Sequence, residues 1–230
     1  MPELSFQVSG VEPVNGGLTP LLQFKLEIAA SNNSERIQGI MLNAQIQIQC
    51  PQRSYNANEK ARLADLFGAP ERWGQTLRNR LWTHVSVNVP AFSGSTTVQL
   101  PVPCTYDLNL ASAKYFNALE GGEVWLLFLF SGSMFYLAPD GRLQMERVSW
   151  DQECVYEMGI GTWQELMARQ YPNTAWLYLR REVFDRLYDY KLEKGLASWE
   201  DAIEQLLAAE SSKLKICSTS GASPKIGAAA

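Results

Sequence analysis

The chain has little of what metal and redox chemistry requires. Its 230 residues include one histidine, His84, and four cysteines that stand far apart in the sequence. These are Cys50, Cys104, Cys154 and Cys217. Structural zinc sites use paired cysteines or Cys and His at short spacing, so the sequence predicts no metal centre. Because no export signal is recognisable, reduced cysteines in or near strands, with one in a loose tail, are favoured over disulfides.

Long apolar runs and an excess of positive charge are also missing. The longest apolar run, Val124 to Phe130, is far too short to cross a bilayer. The first ten residues, MPELSFQVSG, have neither a basic start nor an apolar signal core. We therefore expect a cytoplasmic protein without a membrane span. The net charge of -4 provides no basic field to attract nucleic acid, so no nucleic-acid partner is expected.

No catalytic constellation is recognisable. His84 lies in the predicted strand THVSVNV, on the face opposite Val85, and the sequence offers it no neighbouring nucleophile. Ser131 and Ser133 lack the Gly-x-Ser-x-Gly context and a downstream histidine. The glycine pairs at 16–17 and 121–122 have no phosphate-loop or dinucleotide spacing and indicate turns. We expect a protein that is not an enzyme and that holds no cofactor.

From residue 4 to about 157 the chain shows hydrophobic alternation with a period of two, which is typical of half-buried strands. The alternating sets are Leu4, Phe6 and Val8; Phe24, Leu26 and Ile28; Leu42, Ala44, Ile46 and Ile48; Val85, Val87 and Val89; and Val98, Leu100 and Val102. An antiparallel sandwich fits this pattern best. The run from Val124 to Phe130 is apolar on both faces, which predicts a central strand covered from both sides.

Helical signals concentrate toward the C-terminus. Asn173 is a candidate cap for a long helix through Lys194, and Ser198 opens a further helix through Glu210. One short helix interrupts the strands earlier, where Asn56 and Glu59 have capping-box spacing. The sequence thus predicts helices both within and after the strand region.

Together these patterns predict an α+β protein, an antiparallel β-sandwich with a C-terminal helical layer. We expect the sandwich, with short helical insertions, over residues 1–157 and a helical segment packed on it over residues 158–210. Residues 211–230 have few apolar side chains to offset their ordering entropy and should form a disordered tail. No Pro-, Gly- or Ser-rich linker divides the strand part from the helical part, which favours one shared core.

The predicted strand NAQIQIQC has an unusual polar face. Its side opposite the apolar residues consists of Asn43, Gln45, Gln47 and Gln49, without any charge. Amides can hydrogen-bond a covering loop or a partner without the cost of desolvating a charge. Asn43, Gln45 and Gln47 are therefore candidate binding residues. A plain solvated or internally covered face is the alternative.

The segment from Leu66 to Thr83 concentrates tryptophan and arginine around a Gly/Pro turn, within the only stretch that has a basic excess. Because Trp and Arg often carry the binding energy of interfaces, this segment predicts a protein-binding patch. Its candidate residues are Arg72, Trp73, Arg78, Arg80 and Trp82. The alternative is a packed connection in which the tryptophans fix the loop against the sheet and each arginine pairs locally.

A series of motifs occurs in order between about Phe6 and Leu207. They are QIQIQCPQRSY, EKARLADLFGAPERWGQTLRNRLWT, VPAFSGSTTVQLPVPCTYD, KYFNALEGGEV, LLFLFSGSMF, VSWD and YPNTAWLYLRREVFDRLYDYK. In combination they resemble an uncharacterised bacterial domain-of-unknown-function family met beside genes for NiFe hydrogenases. The resemblance implies an accessory role in assembling, maturing or linking a hydrogenase, and it implies no catalytic residue. The chain lacks the cysteine pairs that would ligate the metal centre itself.

We therefore expect a non-catalytic accessory protein that acts by contact with another protein, with a hydrogenase subunit or maturation factor as the implied partner. One alternative is a sandwich module that binds a small molecule or carbohydrate between the sheet and the helices. Its apolar platforms would be Trp73, Trp82, Trp125 or Trp163. An enzyme of unfamiliar design would instead require perturbed carboxylates in a deep cleft.

Overall fold

The computed structural model describes residues 3–14, 16–31, 36–105, 110–138, 140–174, 177 and 179–219. The chain divides into two compact units, Met1–Ala175 and Trp176–Ala230. The described elements of the first unit are β1 (Leu4–Pro13), β2 (Leu21–Ala30), β3 (Ile37–Ile48), α1 (Ala57–Phe67), α2 (Trp73–Thr76), β4 (Arg80–Val89), β5 (Ser95–Pro103), α3 (Leu110–Ala118), β6 (Glu123–Leu137), β7 (Leu143–Arg147), β8 (Glu153–Gly159) and α4 (Ile160–Gln170). The second unit contains α5 (Arg181–Glu193) and α6 (Trp199–Thr219).

The strands form two antiparallel sheets. One sheet has the order β1-β2-β5, and the other has the order β4-β3-β6-β7 with β8 also paired to β6. Strand β6 is central because it has pairing partners on both edges. It pairs with β3 along one edge, and along the other its first half pairs with β8 and its last five residues pair with β7. The predicted α+β class, with antiparallel sheets and C-terminal helices, is confirmed.

The core lies between the two sheets and is built from the alternating apolar residues. Phe24 of β2 lies with its ring centroid 5.3 Å from that of Phe128 on β6, and Phe6 of β1 stacks on Phe130 at 4.6 Å. These contacts join the three-stranded sheet to the five-stranded sheet. The period of two in the sequence therefore corresponds to one buried face on each strand.

Strand β6 is less deeply covered than the sequence predicts. Leu126 and Phe128 point into the core and are fully buried, whereas Trp125, Leu127 and Leu129 on the opposite face are only half-buried. The central position is confirmed, but complete cover on both faces is not observed. An apolar run can thus belong to a central strand whose outer face keeps part of its surface in solvent.

Close approach of β3 and β6 requires glycine at position 132. Gly132 has a φ of 151°, and a Cβ added there would lie 2.0 Å from the carbonyl oxygen of Met41. No side chain fits at that distance. This glycine therefore fixes how closely the two strands approach each other.

The short helices of the first unit extend the same core. The predicted capping box at the start of α1 is confirmed, because Glu59 N donates to Asn56 Oδ1 at 2.9 Å and Asn56 N donates to Glu59 Oε2 at 3.0 Å. Phe116 of α3 and Trp163 of α4 are buried with ring centroids 5.2 Å apart. The helical segment predicted for residues 158–210 spans both units, because α4 belongs to the same unit as the sandwich.

The predicted long helix from Asn173 is wrong in its starting point. Asn173 has a φ of 53°, outside the extended conformation of an N-cap, and α5 begins only at Arg181. Helix α6 begins after Ser198, as predicted, with reciprocal hydrogen bonds between Ser198 and Asp201. Its backbone continues to Thr219 rather than ending at Glu210. The remaining predicted tail, residues 220–230, lies outside the described residues.

Candidate functional site

The uncharged amides of β3 lie on the outer face of the five-stranded sheet. Their inward-facing neighbours Leu42 and Ala44 are buried, so alternation directs Asn43, Gln45 and Gln47 away from the core. Asn43 is exposed, and the two glutamines are half-buried. The three residues, named here the amide row, stand at alternate positions of one strand and share one direction.

Side chains of β4 hold part of the amide row in place. Ser86 Oγ donates to Asn43 Oδ1 at 2.6 Å, and His84 Nε2 lies 3.2 Å from Gln45 Oε1. Both contacts run across the β3–β4 pair, where His84 is opposite Gln45 and Ser86 is opposite Asn43. These cross-strand contacts limit the rotamers of the amides, which lowers the entropy that a partner would have to remove on binding.

Apolar side chains adjoin the amide row on the same face. Gln47 is opposite Leu127 of β6, which in turn is opposite Val155 of β8. Val155 is 51% exposed, and Met41, next to the row on β3, is 59% exposed. An uncharged polar strip beside exposed apolar side chains is the composition typical of the centre of a protein interface.

The Trp/Arg segment requires a correction, because the structure places both of its candidate tryptophans in the core. Trp73 is 7% exposed and Trp82 is 5% exposed. Trp73 Nε1 donates to the Gly68 carbonyl at 2.9 Å, and the Trp82 ring meets Phe116 edge-on at a centroid distance of 5.0 Å. The tryptophans therefore fix the connection between α1 and β4, which is the packed alternative.

The arginines of that segment do not gather around exposed rings. Arg72 and Arg78 are exposed, while the half-buried Arg80 places its guanidinium carbon 5.6 Å from the ring centroid of Phe67. Arg80 thus covers a core aromatic side chain. Of the five residues predicted for this patch, Arg72 and Arg78 are the two whose side chains are freely exposed to solvent.

A buried ion pair, which the sequence did not reveal as a unit, joins the β3–α1 connection and the first turn of α1 to the connection before β6. Arg53 Nη2 contacts Glu59 Oε1 at 2.8 Å, and their side chains are 9% and 3% exposed. Arg53 also donates to the carbonyls of Gly121 and Glu123, and Glu59 accepts from the backbone N–H of Glu120 at 3.0 Å. The capping-box spacing indicated Glu59, but nothing in the sequence indicated its pairing with the Gly-Gly turn before β6.

The protonation of Glu59 follows from this environment. Burial raises the pKa of its carboxyl, but hydrogen bonds from Glu120 N, Asn56 N and Arg53, together with the Arg53 charge, outweigh burial and hold the pKa below its ordinary value. Glu59 therefore stays ionised at neutral pH. Because its oxygens already have protein donors, the pair is suited to fixing loops rather than to binding a ligand.

The cysteines have the environment of structural thiols. Burial raises the pKa of Cys50 and of Cys104 to about 12. Both are free thiols, as is the half-buried Cys154. Across the described part of the chain, no group of three or more His, Cys, Asp or Glu side chains could hold a metal ion.

Two cavities of the first unit differ in size and lining. The space between Trp82, Phe116 and Trp163 measures about 100 Å³, which is small beside pockets for small molecules. The predicted alternative of a ligand between sheet and helices is therefore not supported there. A larger cavity of about 410 Å³ lies where the start of β1 meets the β7–β8 connection, and its lining includes Glu146, Ser149 and Gln152.

Among the helices that the structure describes, none has the length and apolar composition of a membrane span.

Fold and site define an α+β protein whose antiparallel sandwich presents an uncharged amide row on one outer face. The chain belongs to a family of unknown function, DUF6084, whose model matches residues 1–215. No curated protein matches the chain.

Several solved structures are similar over part of the fold. A candidate late embryogenesis abundant (LEA) protein shows 12% identity and a TM-score of 0.31, covering 69% of this chain and 71% of that chain. A β-glucosidase 3B from Thermotoga neapolitana, solved with α-D-glucose, shows 13% identity and a TM-score of 0.25 over 68% of this chain and 17% of that chain. A candidate ApaA protein from Bordetella pertussis shows 9% identity and a TM-score of 0.24 over 67% and 92%.

Proposed function

We propose that this protein is a non-catalytic accessory that binds another protein through the outer face of its five-stranded sheet. The observation that supports the proposal is the amide row, Asn43, Gln45 and Gln47, held by cross-strand contacts and adjoined by exposed apolar side chains. Burying this surface requires no desolvation of a charge within the row, and the apolar neighbours supply the hydrophobic gain.

The chemistry of the row limits the kind of partner. Amides donate and accept hydrogen bonds, so they suit a surface that offers backbone groups or other amides rather than a strongly charged one. Leu127 and Val155 would meet apolar side chains of the partner. We propose a hydrogenase subunit or maturation factor as this partner, and the order of motifs along the chain supports that choice.

Charge substitution tests the surface. Gln47→Glu places an unpaired carboxylate in the amide row. The control, Gln99→Glu, makes the same change at an exposed position of β5 in the three-stranded sheet, where Gln99 is opposite Lys25 of β2. We expect Gln47→Glu to weaken partner binding by about tenfold or more, because a buried charge without a counter-charge is costly. Gln99→Glu should bind as the wild type does, and both variants should keep the wild-type melting temperature.

The partner is identified by affinity purification of the tagged wild-type chain and both variants from the native host, with mass spectrometry of what co-purifies. Loss of a hydrogenase component with Gln47→Glu, and its retention with Gln99→Glu, supports the full proposal. Loss of an unrelated protein keeps the surface but rejects the hydrogenase role. Equal retention by all three chains rejects the amide row as the binding surface.

A further inference from the structure

The cavity of about 410 Å³ in the first unit has a mixed lining with an excess of acid. It lies where the start of β1 faces the end of β7 and the turn into β8. Its polar lining consists of Glu3, Glu146, Arg147, Ser149, Asp151 and Gln152. The described lining residues thus include three carboxylates and one guanidinium. The volume falls within the range of small-molecule pockets.

Glu146 gives this cavity its specific chemistry. The residue is opposite Met134, a core side chain of β6, so it lies on the inner face of β7. Its Oε2 is buried and has no hydrogen-bond partner among the described residues. A buried carboxylate oxygen without a donor is costly, so a ligand that supplied an N–H group there would recover that cost.

The other carboxylates favour a positive charge. A hydrogen bond from the Ser149 hydroxyl lowers the pKa of Asp151, so Asp151 is ionised at neutral pH. Arg147 is the only cation among the lining residues that the structure describes. It alternates to the opposite face of β7 from Glu146 and is exposed. The guanidinium is therefore directed away from the face on which Glu146 lies, which leaves a negative field for a ligand beside that carboxylate.

A bare metal ion does not match this lining. Metal ions need several ligand atoms converging within about 2 to 2.6 Å of one point, and the described residues contain no such group of three or more His, Cys, Asp or Glu. An organic cation is larger and can reach carboxylates that stand apart. Leu4 and Met134 in the same lining would contact its carbon chain.

We propose that this cavity binds a small organic cation whose ammonium or guanidinium group donates to Glu146 Oε2. This site lies on the core side of the five-stranded sheet and is separate from the amide row. Because the two sites do not overlap, binding of the organic cation does not require the protein partner.

Three four-carbon probes test the charge requirement on the full chain. Putrescine carries ammonium groups at both ends, 1,4-butanediol carries hydroxyl groups, and succinate carries carboxylates. Each is titrated by NMR into ¹⁵N-labelled protein at an ionic strength of about 0.15 M, where weak surface attraction is screened. We expect putrescine to shift the amide signals of residues 146–152 in a saturable manner, and the other two probes to leave them unchanged.

Glu146→Gln and Glu153→Gln form a matched pair. Both remove one carboxylate near the β7–β8 turn, but Glu153 lies exposed on the outer face of β8. We expect Glu146→Gln to weaken putrescine binding by about tenfold or more and Glu153→Gln to have little effect. Equal weakening by both variants, equal shifts with butanediol, or no saturable shift with putrescine would each overturn the proposal. Melting temperatures confirm that both variants are folded.

Discussion

At the scale of single residues, the Arg53–Glu59 pair shows how one ionised group can hold distant loops together. Glu59 lies near the start of α1, while one of its three donors, Glu120 N, belongs to the connection between α3 and β6. Arg53 binds the same region of the chain, because its guanidinium donates hydrogen bonds to the carbonyls of Gly121 and Glu123. Because both side chains are buried, removing one partner leaves the other without its counter-charge.

We expect Glu59→Gln to lower the free energy of unfolding at neutral pH by about 3 kcal/mol. Glutamine keeps the shape, but it removes the charge that balances Arg53 and directs an amide nitrogen toward a backbone N–H. Urea denaturation measures the change. As a control, Asp65→Asn removes the carboxylate of an ion pair with Lys114 that is largely exposed, and it should leave the denaturation midpoint close to that of the wild type.

The same pair predicts a pH dependence with a definite sign. The pKa of Glu59 in the folded chain lies below its ordinary value of 4.5, so the ionised form stabilises the fold above that pH. The stabilisation is lost as the pH falls through the folded-state pKa. The difference in unfolding free energy between wild type and Glu59→Gln should therefore be full at pH 7 and shrink below about pH 4.5. A constant difference down to pH 3 would contradict this assignment.

At the scale of elements, the strands were predictable and the Trp/Arg connection was not. Alternation in segments such as Leu42 to Ile48 reports directly which side chains face the core, since successive strand residues point to opposite sides. Trp73 and Trp82 gave no such signal. Their burial depends on Gly68, whose φ of 79° turns the chain, and on Phe116, which comes from a helix later in the sequence. Only the tertiary structure shows that contact.

The cavity and the ion pair could not be predicted from the sequence, because each is formed by residues that are distant along the chain. Glu3 and Glu146 are separated by most of the sandwich in sequence, and both line one space only because the start of β1 lies near the end of β7. The amide row could be predicted because all of it belongs to one strand. Local periodicity identifies a face, whereas sites assembled from distant segments require the fold.

Strand β6 provides a direct test of which face is buried. Phe128 is fully buried and Leu127 is half-buried on the outer face. We expect Phe128→Asp to abolish cooperative folding, because it places a charge in the core. Leu127→Asp should remain folded, and it should reduce partner binding because Leu127 is opposite Gln47. Circular dichroism melts and the partner co-purification distinguish the outcomes, and failure of both variants to fold would show that the outer face is covered.

At the scale of the whole molecule, the division into two units determines what can be removed. The hydrophobic core cluster extends from Phe6 to Met167, so its last members belong to α4. The boundary predicted after residue 157 would separate this helix from the sandwich. Ile160 and Trp163 are 1% and 2% exposed, so their loss would open the core at its helical side.

We therefore expect a chain ending at Ala175 to fold cooperatively, whereas a chain ending at Gly159 should not. The longer form keeps all of α4 and should melt within about 4 °C of the full chain, the shift that roughly 1 kcal/mol produces at this size. It should also retain the protein partner, because the amide row lies in β3. Circular dichroism and calorimetry check the first expectation, and co-purification checks the second. Aggregation of the Ala175 form would show that its core needs the second unit, and a folded Gly159 form would show that α4 is dispensable.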